Sequence, residues 1–274
     1  MPAESEVRPC LKTVYEKFYD GCLEMIVAAN WKMNPSLGSA GRLVTVLNKR
    51  SFQPVRRILF LPHPYLVPIS TRLGQSEIGV GGQDCHHNAA GAHTGDVSAA
   101  MLRDCGASIV LLGHSERRTN HGETSALVAA KARQALAHGL DVMICVGETL
   151  GERQAGKAEQ VVIDQLRISV PNDMPQNRLM IAYEPVWAIG TGNVATLNDI
   201  AAMHDAIASE LLKSQNGAET AKTPVLYGGS VNAENAANIF ALDNVCGGLV
   251  GGASLNAETF GSICDSARAQ MFKS

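Results

Sequence analysis

The chain alternates between short apolar runs and longer segments with helical spacing, and the alternation begins at Met25. Apolar runs fall at residues 25–30, 57–61, 77–83, 108–113, 141–147, 178–184, 224–229 and 247–252. Between and after them, apolar positions recur every three or four residues at 41–50, 66–73, 98–105, 125–138, 158–168, 198–214, 235–240 and 257–272. Runs that are apolar on both faces predict strands buried from both sides, which is the habit of a parallel sheet clothed in helices. Eight such units in about 250 residues match a closed single-domain (β/α)8 barrel. An open doubly wound sheet is the competing arrangement, but no G-x-G-x-x-G turn follows the first run. Residues 1–24 stand apart. They lack the apolar core of a signal peptide, and Glu4, Glu6, Glu16 and Asp20 argue against a mitochondrial leader. The expectation is an N-terminal extension followed by one barrel domain over 25–274.

Composition narrows the function. A 274-residue chain with 46% hydrophobic and 18% charged residues is expected to be a soluble globular protein, and a net charge of -3 offers no basic surface for nucleic acid. No stretch approaches the roughly 20 apolar residues that cross a bilayer. Seven cysteines without a C-x-x-C spacing read as reduced thiols, consistent with a cytoplasmic setting.

In such a barrel the chemistry belongs at the carboxyl ends of the strands. Asn30 and Lys32 follow the first run, Gln83 ends the third, and His114, Ser115 and Glu116 follow the fourth. Cys145, Gly147 and Glu148 close the fifth, Glu184 the sixth, Ser230 the seventh, and Gly251 and Gly252 the eighth. A carboxylate partly withdrawn from water at a barrel mouth is a strong base for a carbon-bound proton. The negative charge that follows needs donors already in place, for which His114, Lys32 and Asn30 are candidates. Paired glycines after strands seven and eight let backbone N–H groups approach a phosphate. Together these predict proton transfer beside a carbonyl on a small phosphorylated substrate.

Each residue alone has a plainer explanation. A lone strand-end glutamate is more often a satisfied structural acid, a lone histidine packs or caps, and a lone lysine is solvated. His86, His87 and His93 invite a metal, but no H-E-x-x-H frames them, so solvated loop histidines are expected and no metal. The stretch GERQAGKA (151–158) nearly matches a phosphate loop, yet Ala158 stands where Ser or Thr would hold magnesium, so that reading is rejected.

Six segments carry a resemblance. AANWKMN (28–34), GHSERR (113–118), CVGET (145–149), AYEPVWAIGTG (182–192), YGGSV (227–231) and LVGGASL (249–255) resemble the signatures of the triosephosphate isomerases, in order and across 25–274. The resemblance implies a TIM barrel that interconverts dihydroxyacetone phosphate and glyceraldehyde 3-phosphate through an enediolate, without a cofactor. It implies Glu184 as base, His114 as a neutral polarising imidazole, Lys32 as electrostatic partner and Asn30 as orienting group. Gly190, Ser230, Gly251 and Gly252 would grip the phosphate, with Ser115, Glu116 and Cys145 in support and Pro185 to Asn193 as a lid.

It also implies a homodimer in which NAAGAHTGD (88–96) enters the neighbouring subunit, with Thr94 at its tip and Asp96 placed to meet Arg117. His93 and Asp96 replace the Phe and Glu of many relatives, and Asn193 replaces a frequent Lys. Ala208 and Cys246 stand where the family often carries an ion pair, so no buried charge is left stranded. An isomerase of a longer sugar phosphate and a non-catalytic phosphate-binding barrel are the alternatives.

Overall fold

The computed structural model describes residues 24–189, 194–213 and 223–272. Its eight strands are β1 (Ile26–Asn30), β2 (Arg56–Leu61), β3 (Ile78–Gly82), β4 (Ile109–Leu112), β5 (Asp141–Val146), β6 (Leu179–Tyr183), β7 (Val225–Tyr227) and β8 (Gly247–Val250). They pair in chain order, all parallel, and β8 returns to β1 to close the barrel. Helices α1 (Leu37–Leu47), α2 (Leu66–Leu73), α3 (Ala99–Asp104), α4 (Ser115–His121), α5 (Ser125–Ala137) and α6 (Leu150–Gln154) lie along the first part of the circuit. After them come α7 (Ala158–Ser169), α8 (Leu197–Lys213), α9 (Ala236–Ile239) and α10 (Ala257–Gln270).

Two apolar clusters follow from strand geometry, because successive side chains point to opposite faces. Ile26, Ala28, Ile58, Phe60, Ile109 and Leu111 belong to one cluster, completed by Met143, Cys145, Met180, Ala182, Leu226 and Leu249 inside the barrel. Their alternate neighbours, among them Val27, Ala29, Leu59, Leu61, Val110 and Leu112, join the helices in the outer cluster. Apart from Arg56, Gly79 and Asp141, every strand residue is buried, which is why the runs read as almost continuously apolar. Closure depends on Gly247. It sits at φ 124°, and a Cβ there would lie 1.8 Å from the Ile26 carbonyl oxygen across the seam. Only glycine lets the last strand meet the first at that spacing.

Most expected elements appear within a few residues, and the departures are local. α1 starts at Leu37 rather than near 41 because the Ser36 hydroxyl accepts the Ser39 N–H and caps it. α4 (SERRTNH) and α6 (LGERQ) are polar almost throughout and leave no apolar repeat. GERQAGKA spans the junction of α6 and α7 rather than the interior of one helix. Among the described cysteines, Cys85, Cys105, Cys145 and Cys264 are free thiols. No described helix is long and apolar enough to cross a membrane.

One buried group ties stability to acidity. His204 on α8 is fully buried between Tyr183 and Tyr227, and its Nδ1 lies 2.8 Å from the Asn244 carbonyl oxygen. That bond favours the proton on Nδ1, and Nε2 has no partner among the described residues. Burial lowers its pKa from 6.5 to about 4. The unfolded chain therefore takes up this proton before the folded one, so stability is complete above about pH 6.5 and drains as the pH falls toward 4. The loss amounts to roughly 3 kcal/mol. Urea unfolding between pH 7 and 4.5 should show this decline, and His204→Phe should flatten it whatever its absolute stability; an unchanged slope in the variant would contradict the assignment.

Candidate active site

Glu184 follows β6 immediately, and its carboxylate is only 2% exposed. Its backbone is locked on both sides, the Glu184 N–H donating to Val146 O at 2.8 Å and the Gly228 N–H to Tyr183 O at 2.7 Å. Gly147 on the next strand end makes room for it. A Cβ at Gly147 would stand 1.7 Å from the Glu184 carbonyl oxygen, so no larger residue fits. The Gln165 side chain accepts from Gly147 N at 2.8 Å and donates to its carbonyl oxygen at 2.9 Å, holding that strand end in place.

The carboxylate faces His114, with Nε2 and Oε1 2.9 Å apart, while Oε2 accepts the Ser115 N–H at 2.9 Å. His114 caps α4, and its Nδ1 accepts the Glu116 N–H at 3.2 Å. An acceptor Nδ1 places the ring proton on Nε2, pointed at Glu184. Burial raises the Glu184 pKa, but the His114 charge and hydrogen bond, the Ser115 N–H and Lys32 outweigh it, so the net direction is downward and the group is ionised. Burial likewise opposes a charged His114, yet the adjacent carboxylate lifts its pKa above the ordinary value in this resting arrangement. The Glu116 N–H opposes a second ring proton. A molecule that separated the two side chains would remove the carboxylate's pull and leave a neutral imidazole.

Lys32 enters from the β1 loop at φ 52°, a left-handed conformation that costs a non-glycine residue about 1–3 kcal/mol. The strain is held by hydrogen bonds. Asn30 Oδ1 accepts the Lys32 N–H at 3.0 Å, and Gln83 Nε2 reaches Asn30 Oδ1 at 3.3 Å and the carbonyls of Lys32 and Phe60 at 3.0 Å each. Lys32 Nζ meets Glu116 Oε1 at 2.5 Å. Cys145 lies within the barrel core, its thiol pushed well above the ordinary range first by burial and then by the Glu184 charge.

A cavity of about 300 Å³ collects these groups: Asn30, Lys32, His114 and Glu184 on one side, Ser230, Gly251 and Gly252 on the other. Ser230 is fixed by donating to Ala188 O at 2.8 Å, and the Gly251 carbonyl accepts from Ser254 at 2.6 Å. The structure thus brings together Glu184, His114, Lys32, Asn30, Ser230, Gly251 and Gly252, with Ser115, Glu116 and Cys145 bonded or packed against them. Gly190 and Asn193 lie outside the described residues. Thr94 is exposed on its loop and does not line this cavity, and Asp96 stands 3.7 Å from His86 while Arg117 pairs with Asp84 at 2.7 Å.

Two supporting groups carried no assigned role in the sequence. Gln83 was visible only as a polar strand end. Glu148 is fully buried and accepts from Trp187 Nε1 at 2.8 Å, Tyr183 Oη at 3.2 Å and Arg153 at 3.3 Å, anchoring the turn that leaves Glu184. The signal for Gln83 was its place at a strand end, and for Glu148 that place together with the CVGET segment.

Comparison with known proteins agrees with this geometry. The family model described as triosephosphate isomerase matches residues 25–267. A triosephosphate isomerase of Ruegeria pomeroyi is 50% identical over 239 residues, covering 87% of this chain and 95% of the relative. One from Afipia carboxidovorans is 47% identical over 248 residues, covering 89% and 98%. The crystal structure of triosephosphate isomerase from Bartonella henselae superposes with a TM-score of 0.83 at 41% identity, over 90% of this chain and 100% of that one. With the barrel, the strand-end constellation and these relatives in agreement, the chain belongs to the triosephosphate isomerase family.

Proposed function

We propose that Glu184, His114, Lys32 and Asn30 carry out the interconversion of dihydroxyacetone phosphate and D-glyceraldehyde 3-phosphate in this chain. The observation that carries the reading is the buried, ionised Glu184 facing the Nε2–H of His114 at 2.9 Å within the cavity that Lys32 and the glycine wall share. Substrate entering there separates the pair. The carboxylate takes a proton from the carbon beside the carbonyl, the C–H electrons form a carbon–carbon double bond, and the carbonyl oxygen becomes an oxyanion. His114 Nε2–H and the Lys32 ammonium stabilise that oxygen, both already held by neighbours and so needing little reorganisation. The oxyanion then takes a proton from His114 Nε2, and the imidazole recovers one from the neighbouring hydroxyl. Glu184 returns the abstracted proton to the former carbonyl carbon as the new carbonyl forms on the other, so no electrons leave the substrate. The backbone around Ser230, Gly251 and Gly252 faces the phosphate, and Gly190 is proposed as a further contact on the strength of the resemblance.

Geometry limits how far the base can move. Glu184→Asp keeps the charge but withdraws it by one methylene, so kcat should fall on the order of 10²-fold, with KM for the phosphorylated triose little altered. Steady-state kinetics in both directions measure this, and near-normal turnover would remove Glu184 from the role. A longer sugar phosphate gains no support from any feature of the cavity.

A homodimer is part of the same reading. A second cavity of about 250 Å³ adjoins the first, sharing Asn30, Lys32 and His114 and continuing to Met33, Gln83 and Arg117. Met33 is 94% exposed, unusual for a large apolar residue beside catalytic groups. The exposed 88–96 loop of a second copy, led by Thr94, is the proposed occupant. Activity per chain should therefore fall on dilution through the dimer dissociation range, followed by light scattering alongside the assay. Full activity in a demonstrated monomer would end the dimer requirement.

A further inference from the structure

Arg118, one turn into α4, reaches back to the strand end from which that helix starts. β4 stops at Leu112, whose partner on β5 is Ile144. Gly113 then turns the chain at φ 69°, and His114 follows as the cap of α4. The Arg118 Nε–H donates to Gly113 O at 2.8 Å, and Nη2 donates to Cys145 O at 3.1 Å, one residue beyond that last rung. Nη1 donates to Ser125 Oγ at 3.0 Å, at the start of α5, and Nη2 also to Ser169 Oγ at 3.2 Å, at the end of α7. A Cβ on Gly113 would lie 2.9 Å from Nη2, so the glycine leaves the guanidinium its place. Arg118 lines neither cavity described above.

The two strand ends joined in this way carry the groups that hold Glu184. His114 and Ser115 follow Gly113 and bind the two carboxylate oxygens, each at 2.9 Å. Val146, next after Cys145, accepts the Glu184 N–H at 2.8 Å. Any slippage of one strand end against the other therefore changes the spacing of His114 and Glu184. A planar guanidinium spans the gap with donors at fixed angles, which an ammonium does not offer. Bracing alone needs no charge, and burial opposes one by lowering the Arg118 pKa. None of the four acceptors is a carboxylate, so the charge is not neutralised where it sits. The titratable groups that face it are Cys145, Glu123 and Glu184, while Glu184 itself faces His114, Lys32 and Cys145.

We propose that Arg118 is a positioning residue for the isomerisation: it braces the β4 and β5 ends so that His114 and Glu184 keep their spacing, and its positive charge helps to keep the carboxylate ionised. It acts through these groups and touches no substrate. The kinetic consequence rests on the function proposed above, whereas the state of the His114–Glu184 pair does not. The direction of the charge effect follows from electrostatics. Removing a cation makes proton uptake by the pair easier, so its titration moves to higher pH; a lysine in the same place leaves the titration nearer the original.

The test compares Arg118→Lys, which keeps the charge but loses the fork, with Arg118→Met, which loses both. Full-length protein is labelled with ¹⁵N-histidine, and His114→Gln assigns the His114 signals. Both variants should displace the His114 Nε2–H signal. The titration of the pair should move upward by at least about half a pH unit in Arg118→Met and by much less in Arg118→Lys. In both variants kcat should fall at least about 10-fold with KM little altered, and the acid limb of kcat/KM should follow the titration. Circular dichroism and melting establish that the variants are folded; Arg118→Gln replaces Arg118→Met if the latter does not fold. Parental His114 signals and titration in folded Arg118→Met, whatever its melting temperature, would reduce Arg118 to a structural residue and overturn the proposal. Equal displacement of the titration in the two variants would overturn the role of the charge. Absence of turnover in the unaltered chain would count against the proposed function instead, and the His114 signals would still decide the role of Arg118.

Discussion

Withdrawing one carboxylate from water governs the architecture of this molecule's upper face. An ionised Glu184 at the mouth of an apolar barrel costs several kcal/mol in lost hydration unless neighbours replace it. They do so on every side: His114 Nε2 and the Ser115 N–H bind its two oxygens, and Lys32 adds positive potential. Those neighbours need fixing in turn. His114 is oriented by the Glu116 N–H, Lys32 is held at a strained φ by Asn30 and Gln83, and Gly147 leaves the space in which the Glu184 backbone sits. The groups that stabilise the resting carboxylate are the ones proposed to receive the substrate's developing charge, so a single set of contacts serves both states.

A barrel suits this arrangement because it separates stability from chemistry. The inner cluster from Ile26 to Leu249 and the outer helices fill the body with apolar contacts, while the strand ends are relieved of packing. Polar groups from β1, β3, β4 and β6 converge at the mouth, and glycines after β7 and β8 form its opposite wall. Glu148 shows how the two parts join: it is buried like a core residue, yet it holds Trp187 and Tyr183 at the start of the segment leaving Glu184.

The strands and most helices were legible because burial on two faces leaves a continuous apolar run, and amphipathic helices leave a three-to-four repeat. Helices α4 (SERRTNH) and α6 (LGERQ) escaped, since they are polar almost throughout and so carry no apolar repeat. Glu184, His114, Lys32 and Asn30 were visible as polar residues ending apolar strands, a conflict between composition and position that marks a site. Gln83 showed the same conflict but not its task, because its three hydrogen bonds run to groups more than 20 residues away in sequence.

By itself the sequence determined which residues stand at strand ends, and in a parallel barrel that places them all on one rim. Strand direction and alternation follow from local pattern, so this much needs no coordinates. Only the tertiary structure decided which polar groups touch: that Nε2 of His114 rather than Nδ1 faces Glu184, that Gln83 braces Lys32, and that Asp96 folds back to His86. These depend on distances between segments far apart in the chain. Loop conformation and barrel closure set those distances, through constraints such as the Gly247 seam, and no local pattern encodes them.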